Sequence, residues 1–211
     1  YVVLYKDGAT GLADPATASG RKLGDMRYAK GAVYSHVTDP AALRDDPNVA
    51  AVFENLPIYS QADYPTSALY YERGWQWDMQ QIRAHQVSST IRGQGVRVCI
   101  IDSGVDESHQ DLAGKVVART SFVDPIYGYP GPGPSPAPLD SSGHGTHVAS
   151  SVTTNGIGMA SVAPEATLLV AKTLNAAGNG LTSASLEALS WCAANGADVI
   201  NMSLGTQPIA L

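Results

Sequence analysis

Two residues stand out in this sequence for the chemistry that their setting permits. Asp102 ends the apolar run Val96 to Ile101 (VRVCII) and opens DSGVD. Gly104 then allows the tight turn that leaves a carboxylate at the end of a buried strand. Such a carboxylate suits a proton-relay acid, a metal ligand or a partner of a phosphate-bound magnesium ion, and Asp102 alone does not choose among them. His144 narrows the choice. It stands in SSGHGTHVAS, between two glycines and at the start of a small-residue stretch expected to be helical. A histidine on a helix start, facing a carboxylate fixed on a rigid strand, has what a general base needs: orientation, partial dryness and a protonation equilibrium near neutrality. The carboxylate would hold one ring nitrogen in the required tautomer and stabilise the imidazolium formed during reaction. A zinc pair of His144 with His147 lacks a third protein ligand and the HExxH pattern, so His147 is expected to pack as a hydrogen-bonded histidine behind the base. His36, His85 and His109 belong to no constellation and read as surface or loop residues.

These residues need a scaffold, and the flanking sequence describes one. Val96 to Ile101, Thr167 to Lys172 (TLLVAK) and Ala197 to Met202 (ADVINM) are short apolar runs of the kind found in strands covered on both faces. Between the last two, Ser183 to Ala194 carries Leu186, Leu189 and Ala193 on one stripe and stops at Asn195-Gly196, as a helix would. Strand, helix, strand in repetition implies an α/β fold with a parallel sheet, whose functional residues gather at the carboxyl ends of strands. Upstream lies a smaller α+β unit: Tyr1 to Lys6 and Ala32 to Val37 as strands, a short helix begun by Asp39-Pro40, and a returning strand from Val49 to Glu54. Gly11 to Met26 offers only a weak helical pattern. The expected division is a first unit over residues 1–60, a linker over 61–74, and a second unit over 75–211. Within the second, the Pro- and Gly-rich stretch from Asp124 to Pro138 reads as a surface excursion.

Composition limits the alternatives. The chain has 211 residues, 44% hydrophobic and 15% charged, which is ordinary globular composition. A formal net charge of -6 with no clustered Lys/Arg surface argues against a nucleic-acid partner. No apolar run approaches the ~20 residues of a membrane span. The 2 cysteines, Cys99 and Cys192, lie in apolar stretches and are expected to be buried free thiols, with no disulfide framework.

Four motifs in sequence order carry a family resemblance: IDSGVD around Asp102, GHGTHVA around His144, VAP at Val162 to Pro164, and INMSLG at Ile200 to Gly205. From Trp77 onward the chain resembles the subtilisin-like serine proteases, and residues 1–60 resemble more loosely the propeptide of such enzymes. The resemblance implies a subtilisin-like catalytic domain preceded by a ferredoxin-like prodomain, and a secreted serine endopeptidase whose triad runs in the order Asp, His, Ser. By that resemblance Asp102 is the triad carboxylate and His144 the general base. Ser203, Leu204 and Gly205 line one edge of the peptide cleft, while Gly178, Asn179 and Gly180 form the other, so that a peptide or protein substrate adds as an extended strand between them.

The family's nucleophilic serine and oxyanion asparagine lie beyond SLG and are absent from these 211 residues. The chain by itself is therefore expected to be inactive without the missing C-terminal half of the catalytic domain. The alternative is a catalytically dead fragment that binds peptides or inhibits proteases. The prodomain is expected to act as an intramolecular inhibitor, its exit PIYSQADY lying in the cleft. No cofactor is required. A structural calcium ion, common in the family, would draw on Asp111 and Asn155, with the carbonyls of Ile157 and Met159 nearby; the alternative reading has Asp111 as a turn acceptor and Asn155, before Gly156, as a turn residue.

Overall fold

In the computed structural model the described residues are 1–14, 17, 19–60, 76–87, 90–123 and 140–206. The expected linker at 61–74 and the excursion at 124–138 fall outside them.

The N-terminal unit is an antiparallel sheet of β1 (Val2–Tyr5), β2 (Arg21–Asp25), β3 (Gly31–Ser35) and β4 (Val49–Phe53), in the order β2-β3-β1-β4. One helix, α1 (Pro40–Asp45), crosses from β3 to β4. Asp39 starts it as its sequence suggests: one carboxylate oxygen accepts the amides of Ala41 and Ala42 at 3.0 and 3.2 Å, with proline in the first turn. Val3, Tyr5, Ala32, Tyr34, Leu43 and Val49 pack beneath the helix as one core. The weak helical pattern of Gly11 to Met26 gives way to β2, which is exposed along its length and gains its order from pairing with β3.

The second unit is built on a parallel sheet of β6 (Arg97–Asp102), β7 (Val116–Ser121), β8 (Thr167–Lys172) and β10 (Val199–Asn201), in the order β10-β6-β8-β7. The uninterrupted apolar runs follow from burial on both faces. Cys99 and Ile101 of β6 face one side, against Leu169, Ala171 and helix α4 (Thr182–Ala194). Val98 and Ile100 face the other, against Leu168, Val170 and Ala149 of helix α3 (His144–Val152). Strand β7 was not legible as one, because VVARTS alternates only in part and only its last two residues are buried. A short helix α2 (Trp77–Gln81) precedes the sheet.

The cysteines depart from expectation. Cys99 on β6 and Cys192 on α4 form a disulfide with Cα atoms 5.9 Å apart, and both are fully buried. Each lies in an apolar stretch because it faces the core, and the strand-to-helix packing brings the two thiols together.

A third sheet joins the units. Strand β5 (Pro57–Ser60), at the exit of the N-terminal unit, lies between β9 (Asn179–Leu181) and β11 (Leu204–Gly205), antiparallel to both. The unit also docks on the start of α4. Asn55 Oδ1 accepts the Ser183 amide at 3.0 Å, satisfying one of the helix's unpaired N–H groups, and the Leu56 carbonyl accepts the amide and hydroxyl of Thr182. One turn along, Leu186 packs against the cluster of Val2, Met26 and Val33. Beside it the Glu187 carboxylate, buried, accepts the amides of Tyr28 and Ala29 from the turn between β2 and β3.

Candidate active site

Asp102 is the last residue of β6, at the carboxyl end of the parallel sheet, and is fully buried. Its backbone carbonyl accepts the amides of Thr173 and Leu174, which follow β8, so the side chain issues from a fixed point. Oδ1 lies 2.7 Å from His144 Nδ1 and also accepts the Ser103 amide. Oδ2 is buried with no hydrogen-bond donor among the described residues. Burial pushes the Asp102 carboxyl above the ordinary range, and the hydrogen bonds from His144 and Ser103 oppose that rise.

His144 is the first residue of α3, with Gly143 in the left-handed region (φ 89°) as the residue before it. It is buried, with 6% of its surface exposed. Glycine is required next to it: a Cβ on Gly145 would lie 2.0 Å from the Gly104 carbonyl oxygen and 3.2 Å from Asp102 Oδ1. The glycines flanking His144 therefore have different reasons, one a positive φ and the other a close backbone approach.

Around the pair stands a polar shell that sequence reasoning missed. Asp140 Oδ1 accepts the Ser103 hydroxyl and the amides of Ser142 and Gly143, and Oδ2 accepts the amide and hydroxyl of Thr146. Ser103 Oγ in turn accepts the Gly145 amide at 2.9 Å. The Lys172 ammonium, at the end of β8, donates to the Ser103 carbonyl; burial lowers its proton affinity, and the charges of Asp140 and Asp102 act against that. A signal for Asp140 was present: an aspartate followed by Ser-Ser-Gly at a helix start is a capping pattern.

The remaining expected residues divide in two. Gly178, Asn179 and Gly180 form one edge of a cleft and Ser203, Leu204 and Gly205 the other, with β5 between them. Ile58 is in register with Gly180, Tyr59 with Asn179 and Gly205, and Ser60 with Leu204. Asn201 Nδ2 reaches Ser203 Oγ at 3.0 Å, tying the end of β10 to that edge. Asp111 and Asn155 do meet, but as a loop anchor. The buried Asp111 carboxylate accepts the amides of Ile157, Gly158 and Met159 at 2.7, 2.8 and 3.2 Å, and Asn155 donates its amide nitrogen to the carbonyls of Gln110 and Ala113. Three N–H groups thus converge on the Asp111 carboxylate and fix the loop to it. Among the described residues no group of three or more His, Cys, Asp or Glu side chains converges as a metal site. His147 is exposed on α3, not packed behind His144 as expected.

The arrangement can hold an imidazole in one tautomer against a buried carboxylate, beside a cleft that takes an extended chain. The model of the subtilase family matches residues 93–210. Thermitase of Thermoactinomyces vulgaris is 38% identical over 133 residues, 62% of this chain and 44% of that protein. Subtilisin DY of Bacillus licheniformis is 43% identical over 127 residues, 59% of this chain and 42% of that protein. Subtilisin E of Bacillus subtilis is 38% identical over 166 residues, 77% of this chain and 38% of that protein. The chain thus spans well under half the length of these curated relatives. The match extends over the strand bearing Asp102, the helix bearing His144 and both edges of the cleft, and the chain belongs to the subtilase family.

Proposed function

We propose that these residues form the N-terminal part of a serine endopeptidase proenzyme, with Asp102 and His144 as two members of its triad. The observation that carries this reading is the 2.7 Å contact between His144 Nδ1 and Asp102 Oδ1, made by two buried side chains on separate elements at the carboxyl end of the sheet. The nucleophilic serine and an oxyanion donor come from sequence following Leu211. The serine Oγ attacks the peptide carbonyl carbon, and its proton passes to the second ring nitrogen of His144, with Asp102 remaining ionised and stabilising the imidazolium. His144 then gives that proton to the departing amine, and water releases the acyl group by the same path in reverse.

The substrate is an extended peptide that takes the place β5 holds between β9 and β11, bound through its main chain and so with broad sequence tolerance. Residues 1–60 serve as an intramolecular inhibitor, since β5 already fills that place. The rest of the domain packs on the open side of the sheet. There β10 is the edge strand among the described residues, with Val199 half exposed, and a cavity of about 890 Å³ runs from His144 past Val148, Val152 and Val162. A buried disulfide fits an oxidising, extracellular location. No helix among the described residues is long and apolar enough to cross a membrane.

The test is labelling by a fluorophosphonate probe, which reacts only with an activated serine. The protein carrying the sequence beyond Leu211 should be labelled at one serine and should lose the label in His144→Ala, whereas the 211-residue chain should take none. Labelling of the short chain that depends on His144, or none in the longer one after removal of residues 1–60, would overturn the reading.

A further inference from the structure

We infer that Asp140 is a positioning residue for the His144–Asp102 pair, holding the first turn of α3 at hydrogen-bond distance from β6; this rests on the proposed triad role of that pair. Helix α3 begins without a capping side chain of its own, because Gly143 occupies the cap position. Its first amides still need acceptors. Asp140 supplies them from outside the helix, taking the amides of Gly143 and Thr146 at 2.9 and 2.8 Å and the Thr146 hydroxyl at 2.6 Å. A carboxylate there also sits favourably at the positive end of the helix.

What makes this more than a cap is the fifth contact. Asp140 Oδ1 accepts the Ser103 hydroxyl at 2.8 Å, and Ser103 directly follows Asp102 in the chain. Ser103 Oγ passes the connection back by accepting the Gly145 amide, directly after His144. The residue after the carboxylate and the residue after the base are therefore bonded to each other, and Asp140 closes the loop by bonding to both elements. The base and its carboxylate are joined directly at 2.7 Å, Ser103 adds two bonds across the same gap, to Asp140 and from Gly145, and Asp140 ties its own side to the helix through the amide and hydroxyl of Thr146. Burial pushes the Asp140 carboxyl up, and its hydrogen bonds more than offset this, leaving it below the usual carboxylate range. It accepts throughout the neutral range, as a permanent brace must.

The readout is the Nδ1 proton of His144 in the full 211-residue chain, observed by proton NMR with ¹⁵N-labelled histidine. In a short bond to a buried carboxylate this proton resonates far downfield and exchanges slowly with water. Asp102→Asn should abolish the signal; if the signal is indifferent to it, the triad reading fails first. Asp140→Asn puts an amide donor against the Thr146 donors, and should broaden the signal and speed its exchange at least tenfold, the loss of about one net hydrogen bond.

Thr146→Val removes the hydroxyl arm to Asp140, and with it the acceptor of the Asp106 amide, and should speed exchange several-fold with the helix amide still bonded, and Thr146→Ser should restore the wild-type rate. Asp39→Ala, which removes the cap of the remote helix α1 at a similar cost to stability, should leave the signal unchanged. If Asp102→Asn removes the signal while Asp140→Asn and Thr146→Val leave its position and exchange as in wild type, or if Asp39→Ala moves it as much as they do, the positioning role is wrong.

Discussion

Opening the Cys99–Cys192 disulfide should weaken the fold more than any single side-chain truncation on the surface. The two cysteines are 93 residues apart in sequence. Closing a loop of that length in the unfolded chain removes an entropy of roughly 16 cal/mol/K, or about 4.6 kcal/mol at 25 °C in the chain-entropy treatment. Domains of this size have net stabilities of about 5–15 kcal/mol, so the cross-link supplies a third or more of the total. A change of that size moves a thermal midpoint by about 9–18 °C for a chain of 150–250 residues. Two arms separate the cross-link from the packing. Wild type equilibrated with reductant in urea loses the cross-link alone, while Cys99→Ala with Cys192→Ala also loses sulfur atoms from a fully buried core and should be weaker still. Trp191, buried beside Cys192, reports the transition by fluorescence. A urea-derived loss below about 1 kcal/mol in the reduced protein would refute the reasoning, since it would mean the cross-link is absent in solution or the unfolded chain is already constrained.

Two further perturbations follow from the same geometry. Glu187→Ala should release the turn between β2 and β3 from α4, seen as faster hydrogen exchange at the Tyr28 and Ala29 amides with the exchange of β6 and β8 unchanged; equal protection in the variant would show that the carboxylate is not an anchor. Burial raises the Glu187 carboxyl above its ordinary value, opposed by the hydrogen bonds it accepts and by nearby Arg27, so the docked state holds its proton to higher pH than the released state and docking weakens as pH rises from the ordinary glutamate value through the raised one. Glu187→Gln should flatten that slope in the same exchange measurement, and an unchanged slope would assign it to other groups. Gly145→Ala places a methyl 2.0 Å from the Gly104 carbonyl oxygen, so α3 must shift and the downfield His144 proton should be lost with the helical circular dichroism largely kept; retention of that proton would mean the approach is looser than described.

Much of the architecture was legible because apolar runs of strand length and helix boundaries depend on local pattern alone, whereas the stripe of Leu186, Leu189 and Ala193 is not one buried face: Leu186 and Leu189 turn to different cores and Ala193 is exposed. Val96 to Ile101, Thr167 to Lys172 and Ser183 to Ala194 all became the expected elements within a residue or two. So did the opening of α1 at Asp39-Pro40. What stayed hidden depends on partners distant in sequence. The disulfide needs β6 and α4 to be stacked before the two thiols can meet, and spacing says nothing of that. Strand β2 is exposed throughout and takes its form from β3. His144 and Asp102 were visible as types in context, whereas Asp140 was marked only by a capping pattern, and its bond to Ser103 depends on geometry. Asp111 and Asn155 come together across one loop, Asp111 accepting three of its amides, and an aspartate that accepts loop amides and one that binds a cation look the same in sequence.

Helix α4 shows why one element can mislead a one-face reading. An amphipathic helix on a sheet should bury one stripe and wet the other. Here Ala184, Ala188, Trp191 and Cys192 turn toward the parallel sheet, while Leu186 and Glu187 turn toward the antiparallel sheet of the N-terminal unit. Its sequence, TSASLEALSWCAA, has Glu187 as its single charged residue and is apolar or small almost all round. That composition is natural for a helix between two layers and costly for one exposed to water. The N-terminal unit therefore covers a surface that α4 cannot leave bare at no cost, and it does so through the same contacts that bring β5 into the cleft. Pairing of β5 with β9 and β11 and burial of the helix should therefore be coupled. A substitution on the outer stripe of α4 that makes it tolerate water, such as Leu186→Lys, should loosen β5 without touching either edge of the cleft. Hydrogen exchange at the amides of β9 and β11 reads this directly: those that pair with β5 should lose protection together with Tyr28 and Ala29. If β5 stays protected while the turn is released, the two contacts are independent and the coupling argued here is absent.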